Sequence, residues 1–223
     1  MSTTFDYHND LVVNPAPRCP CMLVLDASSS MGGSRIDELN RGVSQFIAEL
    51  KSDDVAASSV EIGVVTFGHQ VEQVQPLTCV DDIIDVGRVE ACGMTPMGEA
   101  VELAIQKLEA RKQQYQQNGV SYYQPWLVLM TDGEPNDHWQ AAAQKLKNLA
   151  QTKKMVVLCI GIGEDANLSL LSEFSAMLPK QLYGLKFKEF FLWLSQSMMR
   201  VSASTPGDSI RLPSTQSWDS LDI

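Results

Sequence analysis

Two acidic residues in this chain stand at the heads of polar loops, each directly behind an apolar run. Asp26 follows Cys19 to Leu25 and opens Asp26-Ala27-Ser28-Ser29-Ser30-Met31-Gly32-Gly33. Asp132 follows the run Trp126 to Met130 and lies in Thr131-Asp132-Gly133-Glu134-Pro135-Asn136-Asp137. A third loop carries Thr95-Pro96 just before a long amphipathic stretch. Asp, Ser and Thr offer short, hard oxygen donors, the kind that suits Mg²⁺ or Mn²⁺. The plainer reading of the first loop is that Asp26 and its serines cap the next helix and satisfy turn backbone.

The elements that position these loops follow from hydrophobic period. Cys19 to Leu25 is continuously apolar, as a strand buried on both faces would be. Ile36, Leu39, Val43, Phe46, Ile47 and Leu50 recur at helical spacing. Val60 to Phe67 reads as a second strand. After a short turn at Gly68-His69-Gln70, Val71 to Thr78 alternates and contains Pro76, which suits an antiparallel edge strand. Asp81 to Gly93 is read as one helical turn and a loop. Met97, Val101, Ala104, Ile105 and Leu108 mark a long helix that frays into the polar stretch Gln113 to Gln124. Trp126 to Met130 and Met155 to Ile162 are further strands, with a helix near 138–152 between them. A short helix at Leu168 to Ala176, a short strand at Leu182 to Leu185 and an amphipathic helix at Glu189 to Arg200 complete the pattern.

Strands alternating with helices predict an α/β fold: a doubly wound, mostly parallel sheet of about six strands with one antiparallel edge strand and helices on both faces. The expected organisation is an irregular lead-in over 1–18, one domain over 19–201, and an extended or flexible tail over 202–223 rich in Ser, Pro and Asp. In such sheets ligands bind beyond the carboxyl ends of the strands, where strand order reverses. The loops at 26–30 and 132–137 therefore point at one crevice.

Taken in order, Asp26-x-Ser28-x-Ser30, Thr95 and Asp132 resemble the metal-ion-dependent adhesion site of von Willebrand factor type A domains. The resemblance implies a Rossmann-like fold and a metal held by Asp26, Ser28, Ser30, Thr95 and Asp132, with Mg²⁺ expected and Mn²⁺ or Ca²⁺ as alternatives. Helix capping alone does not account for Thr95 and Asp132 falling where that family has them. The resemblance also implies that one Asp reaches the metal through water. Two carboxylates and three hydroxyls then leave the ion under-neutralised, so it invites an Asp or Glu from a partner protein.

Asn14-Pro15-x-Pro17-Arg18-Cys19-Pro20-Cys21, Ile36 to Gly42, Gly93 to Ala100 and Ser202 to Gly207 further resemble the bacterial TerY-like branch associated with tellurium resistance. That likeness implies a non-enzymatic cytoplasmic adaptor in a stress response whose members include Ser/Thr kinases and PP2C-type phosphatases. Some relatives of that branch add a Cys-rich, zinc-binding module, and that function is not carried over here. Two rival readings are a metal-dependent phosphatase using Asp26 and a scaffold without functional metal. The phosphatase reading lacks a second carboxylate two residues on, where Ser28 stands.

Other segments read as bland. Gly161-Ile162-Gly163-Glu164-Asp165-Ala166 formally matches a dinucleotide fingerprint, but no acidic residue ends a following strand about 20 residues on. A tight strand-to-helix turn is expected there, and no cofactor-binding or catalytic residue is assigned. Cys19-Pro20-Cys21 has no second Cys or His pair to complete a metal site. His8, His69 and His138 have no ligand or triad spacing, although His138 stands near the crevice rim. Met31, Met94 and Met97 flank the metal loops, and core packing is the expectation for Met97. Asp219, Asp222 and the terminal carboxylate are acids on a tether that could reach the metal site in cis.

The net charge of −10 and pI of about 4.7 argue against nucleic acid, which needs clustered Lys and Arg. No apolar run is long enough to cross a bilayer. Met1 to Asp10 is polar and carries no secretory signal pattern. Five cysteines, with Cys19, Cys21 and Cys159 in expected strands, are read as buried thiols in a reducing compartment.

Overall fold

The computed structural model describes residues 10–184 and 186–219. Six strands form one sheet: β1 (Cys19–Asp26), β2 (Val60–Phe67), β3 (Val71–Cys79), β4 (Trp126–Thr131), β5 (Val156–Ile162) and β6 (Lys180–Leu182). Their order is β3-β2-β1-β4-β5-β6, and every neighbouring pair is parallel except β2 with β3. This is the expected doubly wound sheet with one antiparallel edge. The chain winds outward from β1 in both directions, so the order reverses between β1 and β4, where the two Asp loops emerge.

The helices are α1 (Asp10–Val13), α2 (Ser34–Lys51), α3 (Asp54–Ser59), α4 (Met97–Gln117), α5 (Gln140–Gln151), α6 (Leu168–Leu171) and α7 (Phe187–Ser202). Along β1 the side chains alternate between two cores. Cys19, Cys21, Leu23 and Leu25 pack under α2 and α7, while Met22 and Val24 pack under α4 and α5. Both faces are covered, which is why β1 reads as unbroken apolar sequence. Gly42 lets α2 press against α7: a Cβ there would come 2.4 Å from the Phe191 ring.

Several boundaries differ from the sequence expectations. The helix α3 was not expected; Asp53 caps it, accepting from the Ala56 amide at 2.8 Å. The central helix α4 continues to Gln117 because Arg111 and Tyr115, in its polar half, are buried. Their partner is Glu61, at the amino end of β2 and fully buried. Arg111 donates to it through Nε at 2.8 Å and Nη2 at 2.7 Å, and Tyr115 through its hydroxyl at 2.7 Å. Arg18 Nε lies 3.2 Å from the same carboxylate. This sealed charge cluster ties the lead-in, β2 and α4 together at the end of the sheet opposite the Asp loops. The last strand, β6, sits at Lys180–Leu182, earlier than the expected Leu182 to Leu185; Leu185 lies outside the described residues.

Beyond α7 the described part of the tail has no helix or strand, yet it is anchored. Trp218 is fully buried, its ring 5.0 Å from Phe190 and 5.4 Å from Trp193. Trp193 Nε1 donates to the Pro213 carbonyl at 3.0 Å. Asp219 pairs with Lys180 on β6, away from the Asp loops; Asp222 and the terminal carboxylate lie outside the described residues.

Candidate metal centre

The site grows from the carboxyl end of β1. Asp26 is opposite Phe67 of β2 and next to Thr131 at the end of β4. It is fully buried. Its Oδ1 accepts from the Ser28 amide at 2.8 Å and its Oδ2 from the Thr131 hydroxyl at 2.5 Å. Burial is the main reason its carboxyl titrates above the ordinary carboxylate range; hydrogen bonds from Ser28 and Thr131 oppose that rise, and Asp132 adds to it. No cation pairs with Asp26 among the described residues.

From Asp26 a run of hydrogen bonds leads to the second loop. The Ser28 amide donates to Asp26 Oδ1, and the Ser28 hydroxyl lies 3.0 Å from the Ser30 hydroxyl. Ser30 donates to Asp132 Oδ1 at 2.7 Å. Two hydroxyls and a carboxylate are thus strung together beside the buried Asp26 carboxylate. Oxygens gathered in this way fit a hard cation, which needs no proton between them. The buried, uncompensated carboxylate of Asp26 fits it too.

Thr95 completes the rim from the third loop. Its amide donates to Asn136 Oδ1 at 3.0 Å and its carbonyl accepts from the Asn136 amide at 3.1 Å. Its hydroxyl is 3.7 Å from where a Cβ on Gly133 would stand. The structure therefore places Asp26, Ser28, Ser30 and Asp132 in direct contact, with Thr95 facing the loop that carries Asp132. Asp137 fixes this arrangement by accepting from the amides of Gly98 and Glu99, at 3.1 and 2.9 Å, at the start of α4. Gly93 adopts φ +84° and leaves no room for a Cβ, which would come 2.4 Å from the His69 amide nitrogen. Gly68 is as crowded, with a Cβ position 2.4 Å from the Ala27 carbonyl. Close backbone packing thus locks the first and third loops against each other.

Arg35 is a neighbour that sequence reasoning missed. It lies in the first turn of α2, and its Nη1 reaches Asp132 Oδ2 at 2.5 Å. No motif pointed to it; only the turn from the Asp26 loop into α2 brings it across to Asp132.

The remaining sequence candidates fall elsewhere. Among the described residues no three His, Cys, Asp or Glu side chains gather as a metal cluster, so any metal here would rely on hydroxyl donors. Cys19 and Cys159 are buried, and burial pushes both thiols up to about 12, which keeps them protonated and small. His69 and His138 are exposed, and His8 lies outside the described residues. Met31 and Met97 are core residues, while Met94 alone of the three stands exposed, beside Thr95. The glycine segment after β5 turns at Gly163 (φ +86°) into α6, a four-residue helix capped by Asn167. No described helix is long and apolar enough to cross a membrane.

A family model described as von Willebrand factor type A domain matches residues 21–188. An uncharacterised protein of Synechocystis sp. is 28% identical over 160 residues, covering 69% of this chain and 34% of that protein. The collagen alpha-5(VI) chain of Mus musculus is 24% identical, over 74% of this chain and 6% of that protein. The chain thus spans about a third or less of the length of these relatives. Among solved structures, the pilus adhesin SpaC from Lactobacillus rhamnosus GG is similar with a TM-score of 0.67 at 14% identity, covering 83% of this chain and 31% of that one. Proximal thread matrix protein 1 from the mussel byssus gives 0.56 at 18% identity, covering 85% and 47%. At these identities the structural likenesses speak to the fold alone.

Proposed function

The chain belongs to the von Willebrand factor type A domain family, and on that premise we propose that it is a metal-dependent protein-interaction module. Asp26, Ser28, Ser30, Thr95 and Asp132 would hold a divalent cation, Mg²⁺ first, with Mn²⁺ or Ca²⁺ as alternatives. The observation that carries this reading is the run of hydrogen bonds that links Asp26 to the Ser28 amide, the Ser28 hydroxyl to Ser30, and Ser30 to Asp132, at the point where strand order reverses. Bound there, the cation would supply a positive centre for an Asp or Glu side chain of a partner protein. The loops supply the frame: the Asp137 cap and the Gly68–Gly93 contact hold the three segments in register, and exposed Met94 offers apolar surface at the rim.

Binding is favoured over catalysis by the state of Asp26. A nucleophile must face its substrate, whereas Asp26 is fully buried, and Ser28 stands two residues on where a phosphatase of that kind would need its general acid. The family as represented by the pilus adhesin SpaC, named for adhesion, is consistent with an interaction role. The finer assignment rests on the segments at 14–21, 36–42, 93–100 and 202–207. On their likeness we place the chain in the TerY-like branch, as a cytoplasmic stress-response adaptor for a Ser/Thr kinase and a PP2C-type phosphatase.

Thermal melts with and without metal test the core of this. Mg²⁺ or Mn²⁺ at about 100 times its dissociation constant adds ~2.7 kcal/mol, a rise of roughly 5–11 °C for a domain of this size. Asp26→Ala and Ser28→Ala should abolish the rise. A wild type that melts at the same temperature in Mg²⁺, Mn²⁺ and EDTA would refute the metal reading. Turnover of a generic phosphomonoester, lost in Asp26→Asn, would replace it with the enzymatic one.

A further inference from the structure

Arg35 departs from what its position favours. A cation in the first turn of a helix faces the positive end of the helix dipole, and α2 begins at Ser34. Even so, Arg35 lies across the turn with Nη1 at 2.5 Å from Asp132 Oδ2 and 3.4 Å from the Ser30 carbonyl. Its other terminal nitrogen, Nη2, abuts Gly163, where a Cβ would sit 3.3 Å away. Thus glycine after β5 leaves the guanidinium its place. The Asp132 side chain is 1% exposed and that of Arg35 37%, so the pair has a buried end at the site and an open end at the rim.

We infer that Arg35 is a specificity-determining residue of the site: a built-in counter-cation that loosens its grip on metal and strengthens its attraction for an anion. The inference rests on the metal-dependent reading above and deepens it. Charge arithmetic carries it. Asp26 and Asp132 bring two negative charges when ionised, and Arg35 returns one. A divalent cation therefore meets a site of charge −1 rather than −2, and the loaded site is +1 rather than neutral. With Arg35 in place the empty site attracts a divalent ion less and the filled site attracts a carboxylate more. The exposed side of the guanidinium also remains open to donate to the incoming acid.

The two effects have opposite signs, which separates this role from simple structural support. The experiment measures Mn²⁺ binding by electron paramagnetic resonance in wild type, Arg35→Gln and Arg35→Lys. Acetate is then titrated into the Mn²⁺-loaded proteins, following water-proton relaxation as a carboxylate displaces bound water. Removing one nearby charge should tighten Mn²⁺ binding about tenfold in Arg35→Gln and weaken acetate binding at least about threefold. Arg35→Lys should stay close to wild type in both. Mn²⁺ binding in Arg35→Gln that is equal to or weaker than wild type, with Asp26→Ala still abolishing it, overturns the role of Arg35 and leaves the metal reading standing. No Mn²⁺ binding by either protein overturns both.

Discussion

Trp218 offers a direct test of whether the tail beyond α7 belongs to the folded domain. The perturbation is Trp218→Ala. A buried indole removes about 150–250 Å² from water, worth ~4–6 kcal/mol at ~25 cal/mol per Å². Against this, Trp218 Nε1 is buried with no hydrogen-bond partner among the described residues, and such an orphan costs ~1–3 kcal/mol. The alanine variant should therefore lose about 2–4 kcal/mol, the smaller term offsetting part of the larger. At roughly 2–4 °C per kcal/mol, the melting temperature should fall by about 4–16 °C. Trp218→Phe keeps most of the ring contact with Phe190 and Trp193 and removes the orphaned N–H, so it should lie within ~1 kcal/mol of wild type. Urea denaturation of the three proteins in EDTA measures this. Hydrogen exchange at the Trp193 indole, bonded to Pro213, reports locally and should accelerate in the alanine variant. An alanine variant as stable as wild type, or a phenylalanine variant as damaged as alanine, would refute the packing argument.

Two other outcomes follow from buried charge. Burial raises the pKa of Asp26, so between its ordinary range and the raised one the folded state holds a proton that the unfolded state has released. Stability then falls as pH rises through that window, and the penalty is fully present above it. Asp26→Asn keeps an acceptor for the Ser28 amide without the charge. In EDTA near pH 7 it should be at least as stable as wild type, with its advantage shrinking on acidification; in the same variant the Mg²⁺ stabilisation should vanish. Greater instability than wild type in EDTA at both pH values would contradict the linkage. Glu61→Gln leaves two guanidiniums buried against a neutral amide, which should cost about 3–5 kcal/mol in urea denaturation. Adding Arg111→Met should restore part of that loss, and a double variant worse than the sum of its singles would show the pair was not opposing itself.

The sequence carried the sheet and most of the site for a simple reason. Strands buried on both faces are unbroken apolar runs, and the polar residue that ends each run marks the loop where ligands gather, so Asp26 and Asp132 could be placed before any coordinates. Thr95 was legible only through its resemblance to a family motif, because nothing local distinguishes a loop threonine. Arg35 was illegible: it sits five residues beyond Ser30 on an exposed first turn, and only the path of the chain through Gly32 and Gly33 aims it at Asp132. Glu61 did leave a trace, a lone acid inside Val60-Glu61-Ile62, but its partners Arg18 and Arg111 come from distant segments. The anchoring of the tail was hidden for a similar reason. One tryptophan in a polar, aperiodic stretch has no period to read, yet its burial in the α7 core holds the described tail against the domain.

The Glu61 cluster has a bearing on the opposite end of the sheet. In the β1–β2 ladder Glu61 stands beside Pro20, and six residues further along each strand Phe67 stands beside Asp26. Sliding one strand past the other by a single residue would turn every side chain to the wrong face and would also draw the Glu61 carboxylate out from between its guanidiniums. The cluster therefore acts as an index mark on a ruler. By forbidding any slip at one end of the pair, it sets the height at which Asp26 emerges at the other, level with Thr131.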